Sequence, residues 1–129
     1  MMLTGGPVGA FALLAFVFTT KHFVADFLLQ NRWIALGKDS TSHWLRPLLV
    51  HVGLHALLTL AIVLAAAPRL WWLALVDFGV HFGVDRSKCL LAHWGRWTPQ
   101  DARYWWLFGF DQYLHQLTNI GLAAAVVSL

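Results

Sequence analysis

Four apolar segments constrain this chain more than any other feature of its sequence. They cover approximately residues 7–29, 47–66, 70–91 and 104–129, and each is close to the ~20 residues with which an α-helix crosses a bilayer. Charged residues make up only 12% of the chain, which is about half of the ~25% found in soluble domains. We therefore predict an all-α membrane protein, in which residues 1–129 form a single domain built as a four-helix transmembrane bundle.

The basic residues predict the orientation of these spans. The first and third breaks, with their flanks, carry most of the Lys and Arg residues, whereas the middle break carries Arg69 alone. The positive-inside rule then places the first and third breaks in the cytoplasm and both termini in the periplasm. This clustering favours membrane orientation over nucleic-acid binding. We expect a loop at residues 31–46, and a first span that is retained rather than cleaved as a signal.

Ionisable residues recur four positions apart within the predicted spans, which places each pair on one helix face. Five such pairs lie in the spans and a sixth, Asp39 and His43, lies in a loop, whereas random placement of the seven His and six Asp residues gives on the order of one. An aspartate inside a span costs about 2.5–3.5 kcal/mol, so we expect these residues to face the bundle interior. The nine within spans are His22, Asp26, His51, His55, Asp77, His81, Asp85, Asp111 and His115.

Distances from the predicted cytoplasmic ends place most of these residues at a common depth of roughly 10 Å, in the cytoplasmic half of the bundle. Imidazole suits zinc, iron and similar metals, while carboxylates suit harder ions. Metal sites in helical bundles are built from inward-facing groups on facing helices. We therefore predict one or two divalent ions, either Zn, Fe or Mn. The predicted ligands are His22, Asp26, His51, His55, His81, Asp85, Asp111 and His115.

Further roles are predicted around this centre. Asp77 is the candidate catalytic residue, as general base toward a metal-activated water. The amides expected to orient the ligands are Gln30, Gln112, Gln116 and Asn119. The cations expected to bind a phosphate or lipid head group are Arg86, Lys88, Arg103 and Lys21. Positive-inside topology is the favoured explanation of the first three, and Lys21 can instead snorkel or pair with a buried aspartate such as Asp77 or Asp85.

A resemblance to a known family covers nearly the whole chain. It rests on the motifs KHFVADFLLQN (21–31), HVGLH (51–55), DFGVHFGVDRSK (77–88) and FDQYLHQLTN (110–119). With these motifs the chain resembles a family of small bacterial inner-membrane proteins classified only as a domain of unknown function. The resemblance implies a multi-pass protein with four spans in the bacterial inner membrane, and no established activity. A looser likeness, in style only, links it to membrane-bound metal-dependent hydrolases.

Three functions fit this pattern. The leading hypothesis is a metal-dependent hydrolase that acts on a phosphate-ester or lipid-linked substrate from the cytoplasmic side. The alternatives are a proton-coupled or metal-ion transporter with a His/Asp relay, and a structural protein whose pairs are interhelical hydrogen bonds of about 0.6 kcal/mol each. We rank the enzyme first because the predicted periplasmic half offers few polar residues for a pathway. The expected partners are the bilayer, the substrate and, because four short helices enclose little space, a second copy of the chain.

Overall fold

The computed structural model describes residues 5–129, and every regular element in that range is helical. The α-helices are α1 (Gly6–Phe23), α2 (Arg32–Lys38), α3 (Leu45–Ala66), α4 (Leu73–Gly95) and α5 (Ala102–Ser128). A π-helical turn at Val24–Leu28 extends α1, and a 3₁₀ turn at Pro68–Leu70 joins α3 to α4. The predicted all-α class is confirmed.

The four long helices coincide with the four predicted apolar segments to within a few residues. Two of them, Gly6–Leu28 and Leu45–Ala66, are long and apolar enough to cross a membrane by length and composition. Helix α4 has a lower mean hydropathy because it also carries charged residues. These are Asp77, Asp85, Arg86 and Lys88.

The short helix α2 lies within residues 31–46, where the sequence led us to expect a loop. It begins at an N-cap, since the Oδ1 atom of Asn31 accepts a hydrogen bond of 2.9 Å from the backbone N–H of Ile34, as N-cap residues typically do. Ile34 is buried while Trp33 and Leu36 are exposed, so α2 packs one face on α3. The loop prediction was therefore wrong for Arg32–Lys38, because a helix of seven residues with a single buried apolar residue is too short to show a helical period in the sequence.

The long helices form a ring in which α1 packs on α5 and α3, α3 packs on α4, and α4 packs on α5. One end of this ring is filled by apolar side chains from the middle of α1, the end of α3, the 3₁₀ turn, the start of α4 and the end of α5. This apolar plug consists of Leu14, Phe18, Val63, Leu70, Leu73, Leu122, Ala123 and Val126. The polar side chains of the interior lie on the other side of it, toward α2.

The outer surface of the ring is apolar on every long helix. Large hydrophobic side chains there are exposed, among them Phe16, Leu57, Leu75, Phe110 and Ile120. The interior holds histidine, aspartate, lysine and asparagine side chains that are almost fully buried. This distribution is the reverse of a water-soluble fold, in which buried charged groups are rare.

Candidate metal centre

All eight predicted ligands lie in one continuous cluster on the inner faces of the long helices. In its first half, Asp26 accepts contacts from three imidazoles. The Nε2 atoms of His55, His51 and His22 lie 2.8, 3.3 and 3.1 Å from its carboxylate oxygens. Both histidines of α3 are completely buried. Asp26 therefore joins α1 to α3 through a carboxylate that faces several nitrogen donors at once.

The π-helical turn sets the position of Asp26. Leu29 donates its backbone N–H to the carbonyl of Val24 at 2.9 Å, five residues back, and Asp26 lies inside this wider turn. Single π turns inside α-helices are frequent at functional sites. The spacing of four residues from His22 predicted the shared face correctly, but it contains no signal for the added width of the turn.

The second half of the cluster is organised around Asp85 of α4. Its carboxylate oxygens lie 2.9 Å from the Nε2 atom of His115, 3.4 Å from that of His51 and 3.7 Å from that of His81. Because His51 also contacts Asp26 at 3.3 Å, this imidazole bridges the two carboxylates. Asp26 and Asp85 therefore belong to the same network, and it spans all four long helices.

The imidazole rings pack against one another around His81. Its ring centroid lies 3.8 Å from that of His55 and 4.0 Å from that of His115. His51 and His22 lie slightly farther from it, at 5.3 and 6.1 Å. Five nitrogen-donating rings are thereby concentrated around one buried position.

Two sets of donor atoms are close enough to share an ion. Within each set the atoms lie within 4.8 Å of one another, and the sets are Asp26, His51, His55 and His81, and His81, Asp85 and His115. Ligands about 2.1 Å from a tetrahedral metal lie about 3.4 Å apart, so small movements would suffice. The Nε2 atom of His81, which belongs to both sets, is buried without a hydrogen-bond partner in residues 5–129. These buried His and Asp groups could hold a metal ion.

The other two predicted ligands, His22 and Asp111, lie at the edge of these sets. Gln112 connects them, because its Oε1 atom lies 3.2 Å from Nε2 of His22 and its Nε2 atom donates to Asp111 at 3.0 Å. Asp111 also lies 3.4 Å from His115. Its Oδ1 atom makes no hydrogen bond within the described part of the chain.

The remaining predicted orienting amides have different surroundings. Asn119 donates to Gln116 at 3.3 Å, so these two residues contact each other rather than a donor atom of either set. The Oε1 atom of Gln30 is buried without a hydrogen-bond partner in the described range. Gln112 is thus the one among the four whose contacts match the predicted orienting role.

Lys38 enters the cluster, although its sequence position suggested a loop cation. It is the last residue of α2, and it is buried. Its Nζ atom lies 3.2 Å from both Nε2 of His51 and Oδ2 of Asp85. An ammonium group therefore stands between two donor atoms of the candidate centre, and only the helical geometry of α2 could have revealed this.

The four predicted head-group cations separate into different environments. Arg86 donates to the carbonyl of Ser40 at 3.1 Å and stacks 3.7 Å above the ring of Trp44, so it fastens the segment between α2 and α3. Arg103 is exposed. Lys88 lies near Asp111, with its Nζ atom 3.7 Å from Oδ2.

Lys21 is buried in an ion pair with Asp77, between the apolar plug and the His/Asp cluster. Its Nζ atom lies 2.9 Å from Oδ2 of Asp77, to which Thr59 also donates a hydrogen bond at 2.6 Å. Lys21 donates to the Thr59 hydroxyl at 3.1 Å as well. Asp77 belongs to neither set of donor atoms, so the role of general base stays a prediction for it.

The sequence of the chain matches, over residues 13–128, the family described as "Protein of unknown function (DUF3307)". The chain belongs to this family. The matched range includes all eight residues of the cluster and the ion pair beside the plug, so the candidate centre lies within the part shared with the DUF3307 family. No curated protein and no solved structure matches the chain.

Proposed function

We propose that this protein is a metal-dependent hydrolase of the bacterial inner membrane, with four spans and a divalent-metal centre in the cytoplasmic half. The observation that carries the proposal is the convergence of five imidazoles and three carboxylates, from four helices, on one buried layer. The substrate class we propose is a phosphate ester or a lipid-linked substrate that enters from the cytoplasmic side.

The apolar outer surface supports four spans rather than two. Helix α4 turns Asp77, His81 and Asp85 inward, while large apolar residues such as Leu75 and Val76 face outward. A charged residue that faces the bundle interior does not contact lipid, so its presence lowers the mean hydropathy of a helix without preventing insertion. The same division holds in α5, where Asp111 is buried and Phe110 is exposed.

Charge balance supports a bound cation. Three carboxylates of the cluster, Asp26, Asp85 and Asp111, face two ammonium groups, Lys38 and Lys88. With neutral imidazoles the cluster therefore carries one excess negative charge, which is costly in a low-dielectric interior unless a bound cation, or a proton on an imidazole such as His115 beside Asp85 and Asp111, compensates it. The unpartnered Nε2 atom of His81 adds a second reason, because buried nitrogen acceptors are normally hydrogen-bonded.

Hydrolysis is the chemistry that this arrangement suits best. A divalent ion supplies a Lewis acid and an activated water. For the general base we propose Asp111 in place of Asp77, because the Oδ1 atom of Asp111 makes no hydrogen bond in the described range and has only a longer contact of 3.4 Å with Nε2 of His115, whereas Asp77 is engaged by Lys21 and Thr59. Gln112 would hold Asp111 and His22 in place, and Lys88 would attract the substrate anion.

The apolar plug favours this proposal over the transporter. A path for protons or metal ions needs polar groups across the whole bilayer, but Leu14, Phe18 and Leu122 belong to a buried apolar cluster at one end of the ring. Next to this plug, Lys21 is held in contacts with Asp77 and Thr59, so neither charge of the ion pair is left without a partner. A centre that an apolar plug closes on one side is the arrangement expected of an enzyme rather than of a transmembrane pathway.

Metal analysis of the purified protein tests the proposal. The protein is purified through a tag without histidine and analysed for Zn, Fe and Mn, before and after reconstitution with each ion. We expect at least one ion per chain, and loss of most of it in His81→Ala. The matched control is His43→Ala, since His43 is an exposed residue outside the cluster.

Release of phosphate from soluble and lipid phosphate esters is measured on the same samples. We expect metal-dependent turnover that Asp111→Asn lowers by about 10²–10⁴-fold while metal content is retained. A protein that holds no ion after reconstitution would refute the centre. Metal binding combined with proton or metal flux in liposomes, and no hydrolysis, would support the transporter instead.

A further inference from the structure

A cavity of about 540 Å³ lies between the end of α2, the C-terminal part of α4 and the start of α5. Three basic side chains, Lys88, His93 and Arg96, and one acidic side chain, Asp39, line it. Aromatic side chains complete its wall, among them Trp97, Tyr104 and Phe108. Its size is that of small-molecule sites, which measure about 300–1,000 Å³. Cations set in an apolar wall suit an anionic group attached to an apolar body.

A smaller cavity of about 180 Å³ lies between α4 and α5, and we refer to it as the α4/α5 groove. It shares Lys88 and Leu107 with the larger cavity, so the two lie side by side at these residues. Most of its other lining residues are apolar, and Gly83 leaves room in its wall, since a Cβ atom added there would meet no atom within 4 Å. The groove therefore offers space for a hydrocarbon chain next to the cationic cavity.

Lys88 stands at the junction of the two cavities with unused hydrogen-bonding capacity. Its side chain is only 15% exposed, and its Nζ atom lies 3.7 Å from Asp111 and 3.9 Å from Asp39. Both distances exceed the roughly 2.7–3.2 Å of a hydrogen bond from nitrogen. A largely buried ammonium group with distant carboxylates is placed to receive an additional anion.

The junction is one side chain away from the candidate centre. Asp111 lines the α4/α5 groove and lies 3.4 Å from His115, which in turn lies 2.9 Å from Asp85. A head group held by Lys88 would therefore lie beside the carboxylate to which we assign the general base.

The cysteine in the cavity wall does not suggest thiol chemistry. Cys89 donates to the carbonyl of Asp39 at 3.2 Å. The Nδ1 atom of His93 lies 2.8 Å from the carbonyl of Cys89, so it carries a proton and donates it there. It is therefore not available as a base toward the thiol, and His93 is left with its Nε2 atom for a ligand.

We propose that the cavity and the α4/α5 groove together bind an amphiphile with a phosphate-monoester head group, the head among Lys88, His93 and Arg96 and the hydrocarbon chain in the groove. Basic pockets between helices on the cytoplasmic side of membrane proteins bind lipid phosphates in this manner. The inference rests on the proposed function only in regarding the bound amphiphile as the substrate. Binding itself requires no metal.

Affinity measurements on the detergent-solubilised full chain test this, both as purified and with chelator. The probes are dioleoyl phosphatidic acid, dioleoylglycerol and inorganic phosphate. We expect the phosphatidic acid to bind at least about tenfold more tightly than dioleoylglycerol, which lacks the phosphate, and than inorganic phosphate, which lacks the hydrocarbon chains. Arg96→Gln and Gly83→Leu should each weaken it by about fivefold or more, the first by removing charge and the second by filling the groove. Arg96→Lys should retain most of the affinity, which separates loss of charge from misfolding.

The matched controls are Arg32→Gln, an exposed cation outside both cavities, and Gly121→Leu, whose added Cβ meets no atom within 4 Å. Both should bind phosphatidic acid as the unaltered protein does. Equal effects of the Arg96 and Arg32 variants, or phosphatidic acid bound no more tightly than dioleoylglycerol, would overturn the proposal. Tight binding of inorganic phosphate alone would overturn the role of the groove. Phosphatidic acid binding by a protein that holds no metal even after reconstitution would refute the proposed function and leave this inference standing.

Discussion

The buried ion pair of Lys21 and Asp77 allows a quantitative test of how the bundle interior is held together. Both side chains are at most 3% exposed, and the charges lie 2.9 Å apart. At an effective dielectric constant of about 20, two unit charges at 2.9 Å attract by roughly 6 kcal/mol. Desolvation cancels part of this, so removal of one partner should cost about 3–5 kcal/mol, mostly through the charge left buried and unpaired.

The test is a double-mutant cycle of Lys21→Met and Asp77→Asn, both close in shape to the original residues. Each single variant should lower the free energy of unfolding by about 3–5 kcal/mol. The double variant should recover at least about 2 kcal/mol of the summed loss, because no unpaired charge remains and the amide can still accept from Thr59. Reversible unfolding in mixed micelles measures these values, and the exposed Arg103→Met is the control, expected to change stability by less than about 0.5 kcal/mol.

This reasoning would be refuted if the two losses in free energy of unfolding were additive in the double variant, or if each single variant lost less than about 1 kcal/mol. The double variant also tests the predicted role of Asp77 in catalysis. If it is stable and loaded with metal but inactive, Asp77 is the general base. If it hydrolyses substrate, Asp77 is a structural partner of Lys21, as we expect from its two hydrogen bonds.

Two further predictions concern α2. A Cβ atom added at Gly37 would lie 2.8 Å from Cβ of Pro47 on α3, so Gly37→Ala should destabilise the protein by about 1–3 kcal/mol. The control is Gly79→Ala, where an added Cβ meets no atom within 4 Å, and it should stabilise the protein by about 0.5–1 kcal/mol. Thermal unfolding that ranks the two variants in the opposite order would contradict the packing of α2 on α3. Lys38→Met removes an ammonium group 3.2 Å from two donor atoms of the centre, so titration with a divalent ion should show about tenfold tighter binding, equal to 1.4 kcal/mol. The control Arg32→Met should leave the affinity for the ion unchanged. Weaker binding in the Lys38 variant would show that Lys38 supports the centre rather than competing with the ion.

The helical class, the four long helices and the gathering of the eight His and Asp residues could be predicted from the sequence. These features depend on periodicity and on the cost of burying charge in an apolar segment, and both are visible in a single chain. The i, i+4 spacing of His51 and His55, for example, leaves few orientations in which neither residue faces lipid. Pairing of Lys21 with a buried aspartate was anticipated for the same reason, and the structure identifies Asp77 as the partner.

The contributions of α2 and of the π turn could not be predicted. Lys38 counted as a loop cation because its own segment is rich in Gly and Ser, and only the N-cap at Asn31 and the packing of Ile34 direct it inward. Likewise, the separation of His22 and Asp111 from the two sets of donor atoms depends on differences of an ångström between side chains of separate helices. Sequence spacing fixes the face of a helix but not distances of that kind.

X-ray absorption at the metal edge of the reconstituted protein tests the central claim most directly. We expect a first shell of nitrogen and oxygen ligands only, at about 2.0–2.2 Å, with the outer-shell scattering of at least two imidazoles. The imidazole signal should fall in His81→Ala and remain in His43→Ala. An ion surrounded by water oxygens without imidazole scattering, or no bound ion in a folded protein, would contradict the assignment of this buried layer as a metal centre.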